Sequence, residues 1–197
     1  MWIVFYTCET LKIAENIIDQ PLAEIFNLST RLGRYPDKLK LAKVIPEGDT
    51  EPGNYRPMSL LSVYNRIFEK IMYNRVTAFL EKYTILNPSQ YGFRSCHSTQ
   101  HAILDITSKI LQNMNNKFYL DFKTAFDTID HTIVLNKLAH YGIRGIVKSW
   151  FRSYLTNRFQ TTPVNDYISP KQECCYGVPK GSVLGPMLFL LYINDIS

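Results

Sequence analysis

Cysteine is scarce in this sequence, and its spacing excludes two kinds of site. The four cysteines, Cys8, Cys96, Cys174 and Cys175, form neither a C-x-x-C pair nor a zinc-ligand spacing. The adjacent Cys174 and Cys175 are poor candidates for a disulfide with each other. We therefore expect reduced thiols and an intracellular protein, of the nucleus or the cytoplasm.

Long hydrophobic runs are also missing. The opening MWIVFYTCE has no basic leader and, at about eight apolar residues, is too short for a signal peptide or a membrane span. The run SVLGPMLFLLYI is interrupted by Gly185 and Pro186 and predicts a buried helix. No internal repeat or low-complexity tract is present. The sequence therefore predicts no membrane partner.

The composition is that of a folded domain. Hydrophobic residues make up 46% and charged residues 20% of the 197 residues, which argues against disorder. The net charge of +5 comes from 22 basic and 17 acidic residues. A basic excess suits a polyanionic partner such as nucleic acid, but it equally describes a solvated surface. Charge alone leaves both interpretations open.

The apolar periodicity predicts mainly helices in the first half of the chain. Spacing over 14–32 predicts helix, divided at Pro21 into one helix that ends near Gln20 and another that begins at the proline. KLAKVIP predicts a strand, and NPSQYGFRS predicts a turn followed by a short extended piece. Two further helices are predicted, one beginning at Ser62 and one capped by Ser98.

The second half mixes strands and helices, which indicates an α+β fold. A strand is predicted at 117–120, and two short strands near 159–164 and 168–175. Helices are predicted at 131–140, at 145–156 and after the sequence GVPKGS.

Three aspartates in FYLDFKTAFDTIDH, residues 118–131, are the first candidates for chemistry. A strand that ends on Asp121 presents its carboxylate at a sheet edge, where Mg²⁺ can be held together with substrate phosphates. Asp127 and Asp130 precede the next helix, where acidic residues stabilise the free N–H groups. For Asp121 a structural role stays equally open at this point.

Two further motifs are candidates for binding phosphate. GVPKGSVLGP, residues 177–186, allows close approach of the backbone to a ligand, although it is not a Walker loop and an ordinary strand-to-helix turn explains it too. Ser182 is expected to cap the helix that follows. In NYRPM, Arg56 can clamp a triphosphate, or it can pair with a surface carboxylate.

Together these motifs resemble the reverse transcriptase domain of non-LTR (LINE-type, jockey-like) retrotransposons. The resemblance covers nearly the whole chain, in the order PDKLKLAKVIP, NYRPMSLLSVYNRIFEKIMYNRV, NPSQYGFRS, LDFKTAFDTIDH, YGIRG, WFRSYLTNR and GVPKGSVLGPMLFLLYINDI. It implies a right-hand polymerase fold, helix-rich with short strands. Residues 1–116 would be mainly fingers, 117–197 the first part of the palm, and the thumb would be absent.

The resemblance also implies an activity and a set of site residues. The activity is RNA-templated addition of deoxynucleotides to a DNA primer 3′-OH by two Mg²⁺ ions, with no small-molecule cofactor. Asp121 matches the first metal-binding aspartate, with the Phe122 carbonyl on the same ion. Phe126 matches the residue that excludes a ribose 2′-OH. Arg56 matches a residue near the incoming triphosphate, and Lys43 a nearby basic position.

The GVPKGS sequence carries the remaining matches and one departure. Gly181 and Ser182 match the turn that lies along the template base and the nucleotide. Lys180 stands where the family usually has glutamine, which places a cation beside the template.

The largest departure is the aromatic-Ala-Asp-Asp motif, which does not occur in these 197 residues. One matching carboxylate is a poor ligand set for two Mg²⁺ ions. We therefore expect an incomplete metal site and no polymerase activity from the chain alone. The alternative is a non-catalytic, basic, nucleic-acid-binding remnant, whose RNA affinity would depend on salt but not on Asp121.

Overall fold

Helices make up most of the part of the chain that the structure describes. The structure is a computed structural model that describes residues 13, 15–47, 56–112, 125–164 and 167–196. Six α-helices lie in these residues: α1 (Glu15–Leu32), α2 (Val63–Lys82), α3 (Thr99–Gln112), α4 (His131–His140), α5 (Gly145–Leu155) and α6 (Leu184–Ile193). A single turn of 3-10 helix lies at Asp37–Leu39.

The strands form one small mixed sheet and one short hairpin. Their bounds are β1 (Leu41–Glu47), β2 (Arg56–Leu60), β3 (Phe159–Thr161), β4 (Pro163–Val164), β5 (Tyr167–Ile168) and β6 (Gln172–Glu173). The sheet order is β2-β1-β3-β6, and β4 pairs only with β5. Strand β1 pairs antiparallel to β2, with Lys43 opposite Leu60, and parallel to β3, with Leu41 opposite Phe159. The described residues therefore form the predicted α+β fold.

The core lies between the helices, and aromatic rings fill its centre. Trp150, Tyr154 and Tyr35 pack with ring centroids 5.1–5.8 Å apart, and Phe68 lies edge-on to Tyr35 at 6.3 Å. Helix α6 buries most of its length, as its apolar sequence predicts. No helix in the described part of the chain is long and apolar enough to cross a membrane.

Three helices begin at side-chain caps, at the positions that the sequence predicts. The Ser62 hydroxyl accepts the Asn65 N–H at 3.2 Å, and the Ser98 hydroxyl accepts the His101 N–H at 3.3 Å. The Asp130 carboxylate accepts two N–H groups, those of Thr132 and Ile133. The predicted helix at 131–140 is therefore confirmed, and the helices that follow Ser62 and Ser98 are confirmed as well.

The predicted break at Pro21 is wrong, because α1 runs through the proline. A proline inside a helix removes one hydrogen bond and crowds the carbonyl four residues back, at a cost of about 3 kcal/mol. Here that carbonyl belongs to Ile17, which is exposed, so water can hydrate it. Beyond the proline, Phe26 and Ser29 are buried against the core and hold the rest of α1 in place.

Two strand predictions also need correction. Residues 87–95, the NPSQYGFRS segment, contain turns and no strand, and Arg94 donates to the carbonyls of Asn87 and Gln90 at 2.9 and 3.1 Å. The two strands predicted near 159–164 and 168–175 are four short ones, because Pro163 and Pro170 cannot donate to a strand ladder. The strand predicted at 117–120 lies outside the described residues.

Candidate active site

The GVPKGS turn, residues 177–182, packs directly on the segment that follows Asp121 in the sequence. The Gly177 N–H donates to the Ile129 carbonyl at 2.8 Å, and the Val178 N–H donates to the Phe126 carbonyl at 2.9 Å. Gly177 has φ +76°, and a Cβ atom there would lie 2.8 Å from the Asp127 Cα atom. This close approach therefore requires glycine.

Asp127 forms an ion pair with the turn instead of beginning a helix. Its Oδ2 lies 2.6 Å from the Lys180 Nζ, and both side chains are partly exposed. The interpretation of Asp127 as a residue at the start of the helix is therefore wrong, whereas the same interpretation of Asp130 is confirmed. The signal that the sequence offered was the lysine in place of the usual glutamine, since a cation in the turn attracts a carboxylate that lies close to it. The Lys180 charge is thus compensated by Asp127.

The turn also contacts the sheet. The Ser59 N–H in β2 donates to the Lys180 carbonyl at 3.0 Å. Strand β2 begins at Arg56, which pairs with Glu47 in β1, whereas Lys43 pairs with Leu60. Four residue steps separate the two pairs, so the backbones of Lys43 and Arg56 lie about 13 Å apart along the sheet.

Phe126 lies beside the turn with its ring between two others. Its centroid is 5.3 Å from that of Phe189 in α6 and 6.1 Å from that of Phe93. The side chain is half-buried, so one part remains accessible. The chain therefore holds a partly accessible aromatic ring next to Asp127 and the GVPKGS turn.

The end of the turn connects to α6. Gly181 has φ +90°, and Ser182 is buried with its hydroxyl accepting the Gly185 N–H at 3.0 Å. Ser182 is expected from the sequence to cap the last helix; its hydroxyl accepts an N–H of the first turn, but α6 begins later and its cap position is Val183.

A buried carboxyl group, that of Glu69, attaches the residue that follows the turn to the core, and no motif in the sequence singled it out. Its Oε1 accepts the Asn65 Nδ2–H and the Tyr154 hydroxyl, both at 2.8 Å, and its Oε2 accepts the Val183 N–H at 2.5 Å. Asn65 in turn accepts the Tyr35 hydroxyl. Asn65 and Glu69 stand four residues apart on the face of α2 that also buries apolar residues. In the sequence, the signal for this network was the presence of two polar residues on the apolar face of α2.

This environment keeps the two tyrosines protonated. Burial, and then the negative charge of Glu69, raise the pKa of Tyr154 well above its ordinary value. Burial and the same charge also raise the pKa of Tyr35. Both hydroxyls therefore remain hydrogen-bond donors, which the network requires.

Asp121 and Phe122 lie outside the described residues. Within the described ranges, no group of three or more His, Cys, Asp or Glu side chains could hold a metal ion. Of the predicted site residues, the structure brings together Phe126 and the turn with Lys180, Gly181 and Ser182.

The chain matches the family model for reverse transcriptase (RNA-dependent DNA polymerase) over residues 45–197. It belongs to the reverse transcriptase family. The predicted resemblance is therefore confirmed. Arg56, Asp121, Phe126 and the GVPKGS turn lie inside the region matched to the reverse transcriptase model, and Lys43 lies two residues before it.

Three of its curated relatives in the reverse transcriptase family are retrotransposon proteins of Drosophila melanogaster. The chain is 32% identical over 192 residues to the probable RNA-directed DNA polymerase from transposon BS, covering 89% of this chain and 20% of the relative. It is 30% identical over 200 residues to the RNA-directed DNA polymerase from mobile element jockey, covering 95% and 21%. For the X-element polymerase the identity is 30% over 188 residues, covering 87% and 20%. The chain thus spans about a fifth of the length of these relatives.

Proposed function

We propose that this chain is the fingers and the first part of the palm of a retrotransposon RNA-directed DNA polymerase. Residues 1–116 would form mainly fingers and 117–197 the first part of the palm. The reaction would be addition of dNTPs to a primer 3′-OH on an RNA template. The main support for the proposal is that the GVPKGS turn is hydrogen-bonded both to Phe126 and to Ser59. Because Ser59 lies in the same strand as Arg56, these bonds connect the turn to the two segments that contain Phe126 and Arg56.

Each predicted site residue has a proposed role in that reaction. Asp121, with the Phe122 carbonyl, would bind Mg²⁺, because a hard cation is held by one or two carboxylates together with substrate phosphates. Such ions polarise the phosphoryl group and orient the 3′-OH for in-line attack. Arg56 and Lys43 would contact the triphosphate. Phe126 would contact the sugar, and the hydrogen bond from the Val178 N–H to its carbonyl supports a site that includes both Phe126 and the turn.

The turn itself would support the template and the nucleotide. Gly181 carries no side chain that would obstruct a base, and the Ser182 hydroxyl accepts the Gly185 N–H at the start of α6. Lys180 would not act as a free cation beside the template, because Asp127 compensates its charge. The pair would take the place of the neutral amide that the family usually has there.

A chimaeric protein tests the proposed function. The segment of the jockey polymerase that matches this chain would be replaced by these 197 residues, and RNA-templated primer extension would be measured with and without Mg²⁺. We expect Mg²⁺-dependent extension, because the chimaera supplies the parts of the relative that this chain does not cover. A folded chimaera that binds RNA in a salt-sensitive way yet extends no primer would favour the binding remnant instead.

Replacement of Phe126 by alanine should relax sugar selection in that chimaera. The expected result is a rise of about tenfold or more in ribonucleotide relative to deoxynucleotide incorporation, because the bulk that contacts the 2′ position is removed. Competition assays with matched dNTP and rNTP pairs measure the ratio. The control is Phe93→Ala, which removes a neighbouring ring without changing residue 126. An unchanged ratio in the Phe126 variant would contradict the assigned role.

A further inference from the structure

Arg158, between α5 and β3, is a buried cation with an unused donor. The residue is 3% exposed. Its Nη1 donates to the Tyr154 carbonyl at 3.1 Å, and the guanidinium lies 4.8 Å from the centroid of the Tyr154 ring. Its Nη2 is buried and has no hydrogen-bond partner among the described residues. No carboxylate of those residues forms an ion pair with it.

An arrangement of this kind is costly unless an anion completes it. A guanidinium stays charged at any physiological pH, so it cannot lower the cost by losing a proton. Burial of a charge with no partner and of an unsatisfied N–H both destabilise the fold. The carboxyl group of Glu69, which also reaches Tyr154, already accepts three hydrogen bonds. The surroundings of Arg158 therefore favour an external anionic oxygen.

A cavity beside Arg158 can hold such a group. Its volume is about 340 Å³, and it lies between β1, β3 and the GVPKGS turn. Ala42, Gln160 and Cys174 line it together with Arg158, and the Asp127–Lys180 pair closes one side. The two charges of that pair offset each other, and burial raises the pKa of the Cys174 thiol, which stays neutral. Arg158 is therefore the charged residue in this wall that forms no ion pair with the described residues.

We propose that this cavity binds a phosphate group and that Arg158 is the residue that holds it. A planar guanidinium matches two oxygens of a phosphate, and charge-assisted bonds of this kind are among the strong ones. The source of the phosphate is inferred from the proposed function: the turn that lines the cavity would lie along the template, so the group is a phosphodiester of the RNA strand. Free inorganic phosphate carries the same chemistry, and the experiment separates the two.

The test is carried out on the 197-residue chain without Mg²⁺, so that it does not depend on catalysis. Thermal unfolding is followed in sodium phosphate and in sodium chloride at equal ionic strength, and a labelled single-stranded RNA is titrated by fluorescence anisotropy. Arg158→Met is compared with Arg152→Met, which removes an exposed arginine from α5. Phosphate stabilises many proteins by exclusion from their surfaces, so the difference between these variants is the quantity that matters.

We expect Arg158→Met to weaken RNA binding by about tenfold to a hundredfold, which is the loss of affinity expected when one charged hydrogen-bonding partner is removed. The same variant should lose the phosphate-specific rise in melting temperature. Arg152→Met should keep both. A loss of the phosphate effect alone, with RNA binding unchanged, would support the anion site and overturn the RNA source. Identical behaviour of the two variants would overturn the proposal, and chimaera activity would still stand as a separate result.

A second variant covers the case in which Arg158→Met does not fold. Gln160→Tyr leaves Arg158 in place and puts a bulky side chain at the exposed strand position that lines the cavity. The same loss of phosphate and RNA effects is expected from it. Full binding by a folded Gln160→Tyr chain would overturn the site.

Discussion

Replacement of Gly177 by alanine is expected to lower the free energy of unfolding by about 3 kcal/mol or more. The residue has φ +76°, a conformation that costs an L-residue about 1–2 kcal/mol. The new Cβ would also lie 2.8 Å from the Asp127 Cα and from the Phe126 carbonyl oxygen. Both contacts are with backbone, so a rotamer change cannot relieve them. Urea denaturation followed by circular dichroism measures the loss.

Gly145 offers a matched control for this substitution. Its φ is +60°, yet an added Cβ would have no heavy atom within 4 Å. Gly145→Ala should therefore cost only the backbone strain, about 1–2 kcal/mol. Equal losses in the two variants would show that the contact between the GVPKGS turn and the segment at 126–127 is not tight.

Replacement of Glu69 by alanine is the second large effect, with an expected loss of about 3–5 kcal/mol. The substitution would leave Asn65, Tyr154 and the Val183 N–H without the acceptor that they now share. Each unsatisfied buried donor costs about 1–3 kcal/mol. The start of α6 would lose its attachment to α2 at the same time. Chemical denaturation with coincident circular dichroism and fluorescence transitions measures the change.

The control is Glu81→Ala on the same helix, where the side chain is exposed. Its effect should stay within about 0.5 kcal/mol, the range usual for surface substitutions. Glu69→Gln should fall between the two, because an amide has the same shape but turns one acceptor into a donor. A Glu69→Ala loss as small as that of Glu81→Ala would mean that the carboxyl group does not hold the turn.

Local chemistry made several elements predictable from the sequence. Asp130 and Ser62 cap helices through their own side chains, so both helix starts followed from residue type and position. The predicted helix break at Pro21 was wrong because burial of Phe26, which follows the proline, outweighs the cost of a proline inside a helix. The prediction for Asp127 was wrong for a related reason, since its ion-pair partner Lys180 is distant in sequence.

The buried network was out of reach for a similar reason. Glu69 meets Tyr154 and Val183 across 85 and 114 residues of sequence, and a periodic pattern reports which face is buried but not which distant groups meet there. Arg158 is the same kind of case, because its unused donor becomes visible only once the core around Tyr154 is assembled. Membership of the reverse transcriptase family was predictable because several motifs occur together in a fixed order, although no single motif indicates the family by itself.

The most direct test of the proposed active site compares Asp121→Asn with Asp130→Asn in the jockey chimaera. Both variants remove one carboxylate from the same segment, and asparagine keeps the cap that Asp130 provides. The measurement is Mg²⁺-dependent primer extension on RNA. The expected result is background activity for Asp121→Asn, because a metal ligand is lost, and near-unsubstituted activity for Asp130→Asn. Undiminished extension by the Asp121→Asn chimaera would contradict the assignment of this aspartate to the metal site.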